Sequence, residues 1–394
     1  MTSTQGRIRV ALVVTRMIAG AGGVALRGAL ALDPARFHVT VLAARDGDLL
    51  EDAADAGFDV VRLLHMRPEI APRQDLAALR EVAAHLGVGG YHVVHTHSAK
   101  AGLIGRVAAR WHGTPAVVHT FHGFPFHSYQ SRARRRTYIT IERALGRITD
   151  RFLAVGASVA AEAVRLGIAP AERIRAIGSA INHVPPATPA SRSEARNKIG
   201  IPGGASVVGT VGRLDFQKAP GDVVAAFARM RSDVHFVWIG SGPLQEEVKR
   251  KVAAAGFGER FHLLGERRDV AELLPALDVF AMASLYEGLP CSIVEAISCG
   301  IPVVATAVNA VPEVVVPGRT GLLVPPAKPE QLARAIQHLL EHPDVGGRLA
   351  AAARDNLGDR FQVEVLGRDL TETYMSALDQ RAHMTRTAPV AGAA

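Results

Sequence analysis

EGLPCSIVEAISCGIPVVATAVNAVPEVVVPGRTG, residues Glu287 to Gly321, decides how the chain is read. Ser292 to Ser298 reads as a helix start, and Ile301 to Thr306 as a buried strand. Gly318-Arg319-Thr320-Gly321 then closes as a turn. Helix, buried strand and turn in this order make up the repeating unit of a parallel sheet covered by helices. Glu287 and Glu295 stand eight positions apart, with Gly288, Leu289 and Pro290 opening the gap. Glu295 thus falls about one turn inside the helix, while Glu287 stays on the loop before it. Backbone N–H groups at such a helix start suit an anionic or polyhydroxy ligand. An ionised carboxylate on either side accepts hydrogen bonds from sugar and ribose hydroxyls.

Short apolar strands alternate with helical patterns along the rest of the chain, which predicts parallel sheets with helices on both faces. One series runs over Ile8–Thr15, His38–Ala43, Val60–Leu64, Val93–His97, Ala116–His119, Phe152–Val155 and Ile174–Ile177. A second follows at Val207–Gly212, His235–Gly240, Phe261–Leu264, Val279–Ala283, Val303–Thr306 and Leu322–Val324. Between them, His183 to Ser191 is dense in proline and reads as a linker. The expected organisation is one α/β doubly wound domain over 1–185, a linker over 186–204 and a second domain over 205–362. A helix over 363–380 and a disordered tail over 381–394 complete it.

At 394 residues, 48% hydrophobic and 21% charged, the chain is long enough for two domains with full cores. Its net charge of +8 suits anionic partners such as a nucleotide, a phospholipid surface or nucleic acid. Aromatic residues make up only 5%, too few for the stacking platforms of single-strand nucleic-acid binders. No apolar run reaches the length of a membrane span, and the first residues lack a signal-peptide layout. A cytosolic protein with peripheral membrane contact is the expectation. Cys291 and Cys299 give neither a disulfide framework nor a metal-ligand spacing.

In doubly wound sheets ligands bind beyond the carboxyl ends of the strands. Arg213 and Lys218 follow the strand ending at Gly212, and two cations there can clamp a diphosphate, although an isolated R-x4-K is also what a solvated basic loop looks like. Gly240 and Gly242 open the next turn, where they either admit a phosphate or only close a strand-to-helix connection. Gly22 and Gly23, just past the first strand, carry the same two readings. His119, His122 and His127 lie beyond the fifth strand, with no Glu or Cys to complete a zinc set. Asp46-Gly47-Asp48 has a metal-nucleotide spacing but precedes Leu49-Leu50, where a helix-capping turn explains it. Ser128 to Arg151 holds seven arginines, four of them at Arg132, Arg134, Arg135 and Arg136, beside a stripe of Tyr138, Ile141 and Leu145. That segment is either a solvated helix face or a surface for phosphoryl groups or an anionic leaflet.

Taken together, Gly22-Gly23, His95 to Gly102, His119 to Phe124, Arg213/Lys218, Gly240 to Gly242, Glu287 and Glu295 resemble the family-4 retaining glycosyltransferases. The resemblance implies the GT-B fold, two doubly wound Rossmann-like domains facing across a cleft, with the last helix crossing back to the first domain. It also implies a UDP- or GDP-linked sugar donor, a glycan, lipid-linked or small-molecule acceptor, no nucleic acid, and no metal or cofactor. Arg213 and Lys218 would stabilise the departing diphosphate. Glu295 would hold the ribose, and Glu287, with N–H groups near Leu289, Cys291 and Ser292, the sugar hydroxyls. Arg267 would sit where the family holds the base through backbone atoms. His122 would position the transferred sugar, with His95 and His97 supporting it and His119 buried in its strand. No carboxylate nucleophile is evident, and the family is thought to retain configuration by front-face attack. One departure is Gly178-Ser179-Ala180-Ile181-Asn182, where many members carry N-G-[IV]-D.

Two other functions fit parts of this pattern. A non-hydrolysing nucleotide-sugar 2-epimerase shares the donor site but needs several carboxylates in the first domain, and none can be assigned. A non-catalytic nucleotide-sugar or nucleic-acid binder fits the charge but gains little from keeping Glu287, Glu295, Arg213 and Lys218 together.

Overall fold

The structure, a computed structural model, describes residues 6–18 and 20–387. It divides into two compact units, Met1–Ala180 with Gln362–Ala394, and Ile181–Phe361. The first unit holds β1 (Ile8–Val14), β2 (Phe37–Ala44), β3 (Asp59–Leu63), β4 (Val93–His97), β5 (Ala116–Phe121), β6 (Arg151–Ala154) and β7 (Ile174–Ala176). They form one parallel sheet in the order β3-β2-β1-β4-β5-β6-β7. Side chains of a strand alternate between the two faces of its sheet, and here helices cover both faces, so the strands read as largely apolar runs. Val10, Leu12 and Val14 of β1 pack with Ala25, Leu26 and Ala29 of the helix Ala21–Leu30. Ala11 and Val13 point the other way, into a cluster with Ala101, Ile104 and Ala108 of the helix Ala99–Trp111.

The second unit holds β8 (Ser206–Val211), β9 (Val234–Ile239), β10 (Phe261–Leu263), β11 (Val279–Met282), β12 (Val303–Thr306) and β13 (Leu322–Val324). Its sheet is also parallel, in the order β10-β9-β8-β11-β12-β13. Phe227, Phe236 and Phe261 anchor its core, with ring centroids 4.8 to 6.0 Å apart. Both sheets are the doubly wound, Rossmann-like kind that the strand and helix alternation predicts.

Two segments differ from the expected organisation. The linker expected over 186–204 contains the helix Pro189–Lys198. Thr188 and Ser191 cap it reciprocally and Pro189 takes the first helical position, where a missing N–H costs nothing. Its Arg196 is buried and bonds Asp278 at 2.9 Å and the Ala276 carbonyl at 3.1 Å, so the segment is part of the second unit's body. The last helix runs from Val363 to Thr387, through the first seven positions of the expected tail. Positions 388–394 of that tail lie outside the described residues. Leu366, Leu370, Tyr374 and Ala377 recur every three or four residues and join the core cluster of β1 and the helix Ala21–Leu30.

Candidate functional site

In each sheet the winding reverses once, and the loops that follow the two strands flanking the reversal part to leave a crevice. In the second unit those strands are β8 and β11. The loop after β8 enters a short 3-10 helix, Phe216–Lys218, capped by Asp215, whose carboxylate accepts from Lys218 N at 3.3 Å. Leu285 N, on the loop after β11, donates to the Gln217 carbonyl at 2.8 Å and ties the loops together. Their side chains then converge on Glu287, which is buried. Lys218 Nζ donates to its Oε1 at 2.5 Å, Ser284 Oγ to the same oxygen at 2.7 Å, and Gln217 Nε2 to Oε2 at 2.9 Å. The Glu287 N–H donates to Asn309 Oδ1 at 2.8 Å. These three bonds fill three of the roughly four acceptor sites of the carboxylate, and one on Oε2 remains.

The structure therefore brings Lys218 and Glu287 together, whereas Arg213 projects outward, with 61% of its side chain exposed and Asp215 3.8 Å away. The helix predicted from Ser292 begins one residue earlier and spans Cys291–Ser298. Leu289 is buried just ahead of it, and Cys291, Ser292 and Glu295 are partly exposed. In its first turn Ile293 N donates to the Pro290 carbonyl at 3.2 Å. Neither cysteine forms a disulfide, and burial raises the Cys299 thiol to about 11. Gly240 has a structural duty: at φ 134° its backbone lies so close to the first loop that a Cβ would stand 2.2 Å from the Gly212 carbonyl oxygen. The chain there also carries Gly242, whose Ser241 neighbour accepts from Leu214 N at 2.9 Å. Arg267 forks onto Asp269 at 2.7 and 2.6 Å.

Gln217, Ser284 and Asn309 are absent from the sequence reading. Gln217 lies inside R-x4-K, at a position that spacing ignores. Asn309 carries a sequence trace: it sits beyond β12 at φ 44°, the left-handed region where asparagine is over-represented.

In the first unit the reversal lies between β1 and β4. Thr15 Oγ1 and Ser98 Oγ meet there at 2.7 Å, and Ser98 is held at φ 66°. Gly22 and Gly23 are buried in the first turn of Ala21–Leu30, and a Cβ on Gly22 would stand 3.0 Å from the Arg16 carbonyl oxygen. Beside them four histidines gather on β4, β5 and the turn after β5. His119 is buried with Nδ1 2.8 Å from Thr96 Oγ1. His95 is buried between the Tyr374 hydroxyl and Thr120 Oγ1, each at 2.7 Å. His97 is buried with Nδ1 2.8 Å from Nε2 of the partly exposed His122. Burial, followed by the charge of Arg27, lowers the His122 imidazole to about 4. Burial and then His122 lower His95 to about 3, and His97 and His119 are driven down mainly by burial. These are neutral rings at physiological pH. Among the described residues no three His, Cys, Asp or Glu side chains form a metal-ligand group.

Two expectations in this unit are corrected. Asp48 occupies the N-cap position of the helix Leu49–Asp55 but has helical dihedrals and makes no side-chain cap bond. The loop is held instead by Asp46 on Arg16 at 2.8 Å and by Leu49 N on the Met17 carbonyl at 3.0 Å. On the helix Arg132–Gly146 the buried stripe is Ile139, Glu142 and Leu145, with Ile141 exposed and Tyr138 only half-buried. Glu142 faces inward because Arg106, fully buried, bonds it at 2.8 Å, and a stripe read from apolar residues alone misses such a position. Arg132, Arg134 and Arg136 are exposed, and Arg135 lies over the Phe126 ring at 5.9 Å. Among the described residues no helix is long and apolar enough to cross a membrane.

Residues 205–342 match the family model for glycosyl transferases group 1, and residues 19–180 that for a glycosyl transferase 4-like domain. The UDP-Gal:alpha-D-GlcNAc-diphosphoundecaprenol alpha-1,3-galactosyltransferase of Escherichia coli is 30% identical over 320 residues, 78% of this chain and 82% of that one. The alpha-maltose-1-phosphate synthase of Mycolicibacterium smegmatis is 28% identical over 369 residues, 86% of this chain and 94% of that one. Among solved structures, HepE of Anabaena in complex with UDP and glucose superposes with a TM-score of 0.81 at 21% identity, covering 94% of this chain and all of that one.

Proposed function

The chain belongs to the group 1 glycosyltransferases of the family-4, GT-B type, and from that premise we propose that it moves a sugar from a nucleotide-sugar donor to an acceptor hydroxyl with retention of configuration. The observation that carries this reading is the Lys218–Glu287 pair at the β8–β11 reversal. A cation and a carboxylate held side by side at a strand-end crevice match the two ends of a sugar diphosphate. Lys218, with Arg213 swinging in from solvent, stabilises the diphosphate as its bond to C1 breaks, the step where most charge develops. Glu287 and the N–H groups from Leu289 to Ser292 take the sugar hydroxyls, and Glu295 the ribose. Gly22, Gly23, Gly240 and Gly242 let backbone approach phosphate, and the backbone at Arg267 lies along the base.

In the reaction proposed, the C1–O bond to the diphosphate breaks and the bond from the acceptor oxygen to C1 forms on the same face. The acceptor proton passes to the departing phosphate oxygen, so the protein supplies no covalent nucleophile. His122 orients the sugar. Cations and helix N–H groups carry the charge that a metal carries elsewhere, so no metal is required. The acceptor proposed is a lipid-linked glycan precursor, a reading supported by the arginine-rich helix Arg132–Gly146 and by the diphosphoundecaprenol substrate in the name of the Escherichia coli relative.

Nucleoside diphosphate release from a panel of UDP- and GDP-linked sugars identifies the donor. With an α-linked donor the product linkage should be α by NMR, and EDTA should leave the rate unchanged. A β product, or activity lost to chelation and restored by Mg²⁺ or Mn²⁺, would defeat the mechanism.

A further inference from the structure

Where β4 and β5 end, two neutral imidazoles share a single proton. His97 Nδ1 and His122 Nε2 are 2.8 Å apart, and the ring centroids lie 5.1 Å apart with a 31° tilt. A neutral imidazole carries one N–H, so one ring donates and the other accepts. If His122 donated from Nε2, His97 would carry its own proton on Nε2. That atom is buried and has no hydrogen-bond partner among the described residues. A buried N–H without an acceptor is the rarer and costlier kind of orphan, and a bare ring lone pair is the milder one. If His97 donates from Nδ1, the orphan is the lone pair, and His122 must hold its proton on Nδ1.

The His97 ring is not free to turn out of this arrangement. His95 packs against it with centroids 4.2 Å apart. Both nitrogens of His95 are engaged, Nδ1 by the Tyr374 hydroxyl and Nε2 by Thr120 Oγ1. Tyr374 comes from the helix Val363–Thr387, whose Leu366 and Leu370 are fixed in the same core. The last helix thus braces His95, His95 braces His97, and His97 reaches His122.

We propose that His97 is a positioning residue that locks His122 in the Nδ1–H tautomer, so that the ring nitrogen left over is a hydrogen-bond donor. A donor suits an oxygen of the bound sugar or phosphate, and it cannot abstract a proton from the acceptor. The catalytic consequence rests on the assignment of His122 to the sugar, whereas the tautomer can be read with no substrate present.

The test is long-range ¹H–¹⁵N NMR on protein labelled at histidine, with the His122 signals assigned from a His122→Gln sample. The expected spectrum shows His122 protonated on Nδ1 and bare on Nε2, and His97 protonated on Nδ1. A proton on His122 Nε2 would overturn the proposal, whether or not any sugar is transferred. In kinetics, His97→Asn keeps an N–H near the position of Nδ1 and should stay close to wild type. His97→Leu should lower kcat about tenfold at unchanged donor KM, the scale of one neutral hydrogen bond. If His97→Leu is too unstable to assay, the His97→Asn spectrum decides, since loss of the Nδ1–H signal of His122 there contradicts the assignment. Equal kcat in both variants contradicts it too.

Discussion

Lys218 and Glu287 form an ion pair, which sets what each substitution near them should do. Glu287→Gln removes the countercharge of Lys218 and leaves the cation to a diphosphate. Binding of the bare nucleoside diphosphate should therefore hold or tighten, while sugar-bearing donors weaken. Glu295→Gln should weaken both, because its proposed partner is ribose. Titration calorimetry giving the reverse pattern would exchange the two assignments. That Lys218 and Glu287 meet was legible in the sequence only through the family resemblance, since an isolated R-x4-K also fits a solvated loop. Gln217 and Ser284 were not, since each acts only through a carboxylate that the fold brings within 2.9 Å. The histidines were legible as a group, but which one stays partly exposed depends on the pairing of β4 with β5.

Thirteen strands could be read because helices cover both faces of each sheet and most strand positions are apolar, a pattern that survives without any knowledge of partners. Helices exposed on one side are harder to read. Proline density marked 183–191 as a linker, yet Thr188, Pro189 and Ser191 begin a capped helix. On the arginine-rich helix, the buried Glu142 belongs to an ion pair whose other member lies 36 residues earlier. Ile141 and the arginines share an exposed surface that the buried stripe leaves over. The protein should co-sediment with anionic but not neutral vesicles and be released by salt, each arginine near the surface being worth about 1 kcal/mol. Replacing Arg132, Arg134, Arg135 and Arg136 by Ser should abolish sedimentation and leave donor hydrolysis intact. Wild-type protein that ignores anionic vesicles and glycosylates a soluble acceptor at full rate would reduce this helix to a solvated face.

For the molecule as a whole, the histidine cluster makes stability depend on pH. His95, His97, His119 and His122 are depressed below 6.5 in the folded chain, His122 to about 4 and His95 to about 3. The unfolded chain then binds more protons, so stability rises with pH across that interval. Their contribution is complete above about 6.5 and is lost as pH falls toward 4 and below, by at most ~1.4 kcal/mol per pH unit for each ring. Melting temperature should be flat in this respect above neutrality and fall on acidification, and His95→Gln should flatten the fall. An acid limb unchanged in that variant would place the dependence elsewhere.

The two-unit architecture and the family were legible because each rests on patterns repeated along the whole chain. The central claim, that the β8–β11 crevice holds a nucleotide sugar and discharges it, is tested most directly by the rate of nucleoside diphosphate release from the donor panel, measured for wild type and Lys218→Ala. One donor should be consumed by the wild type and at least ~10²-fold more slowly by the variant, the scale for losing a group that stabilises developing charge. Consumption of no donor by the wild type, or equal rates for the two proteins, would contradict it.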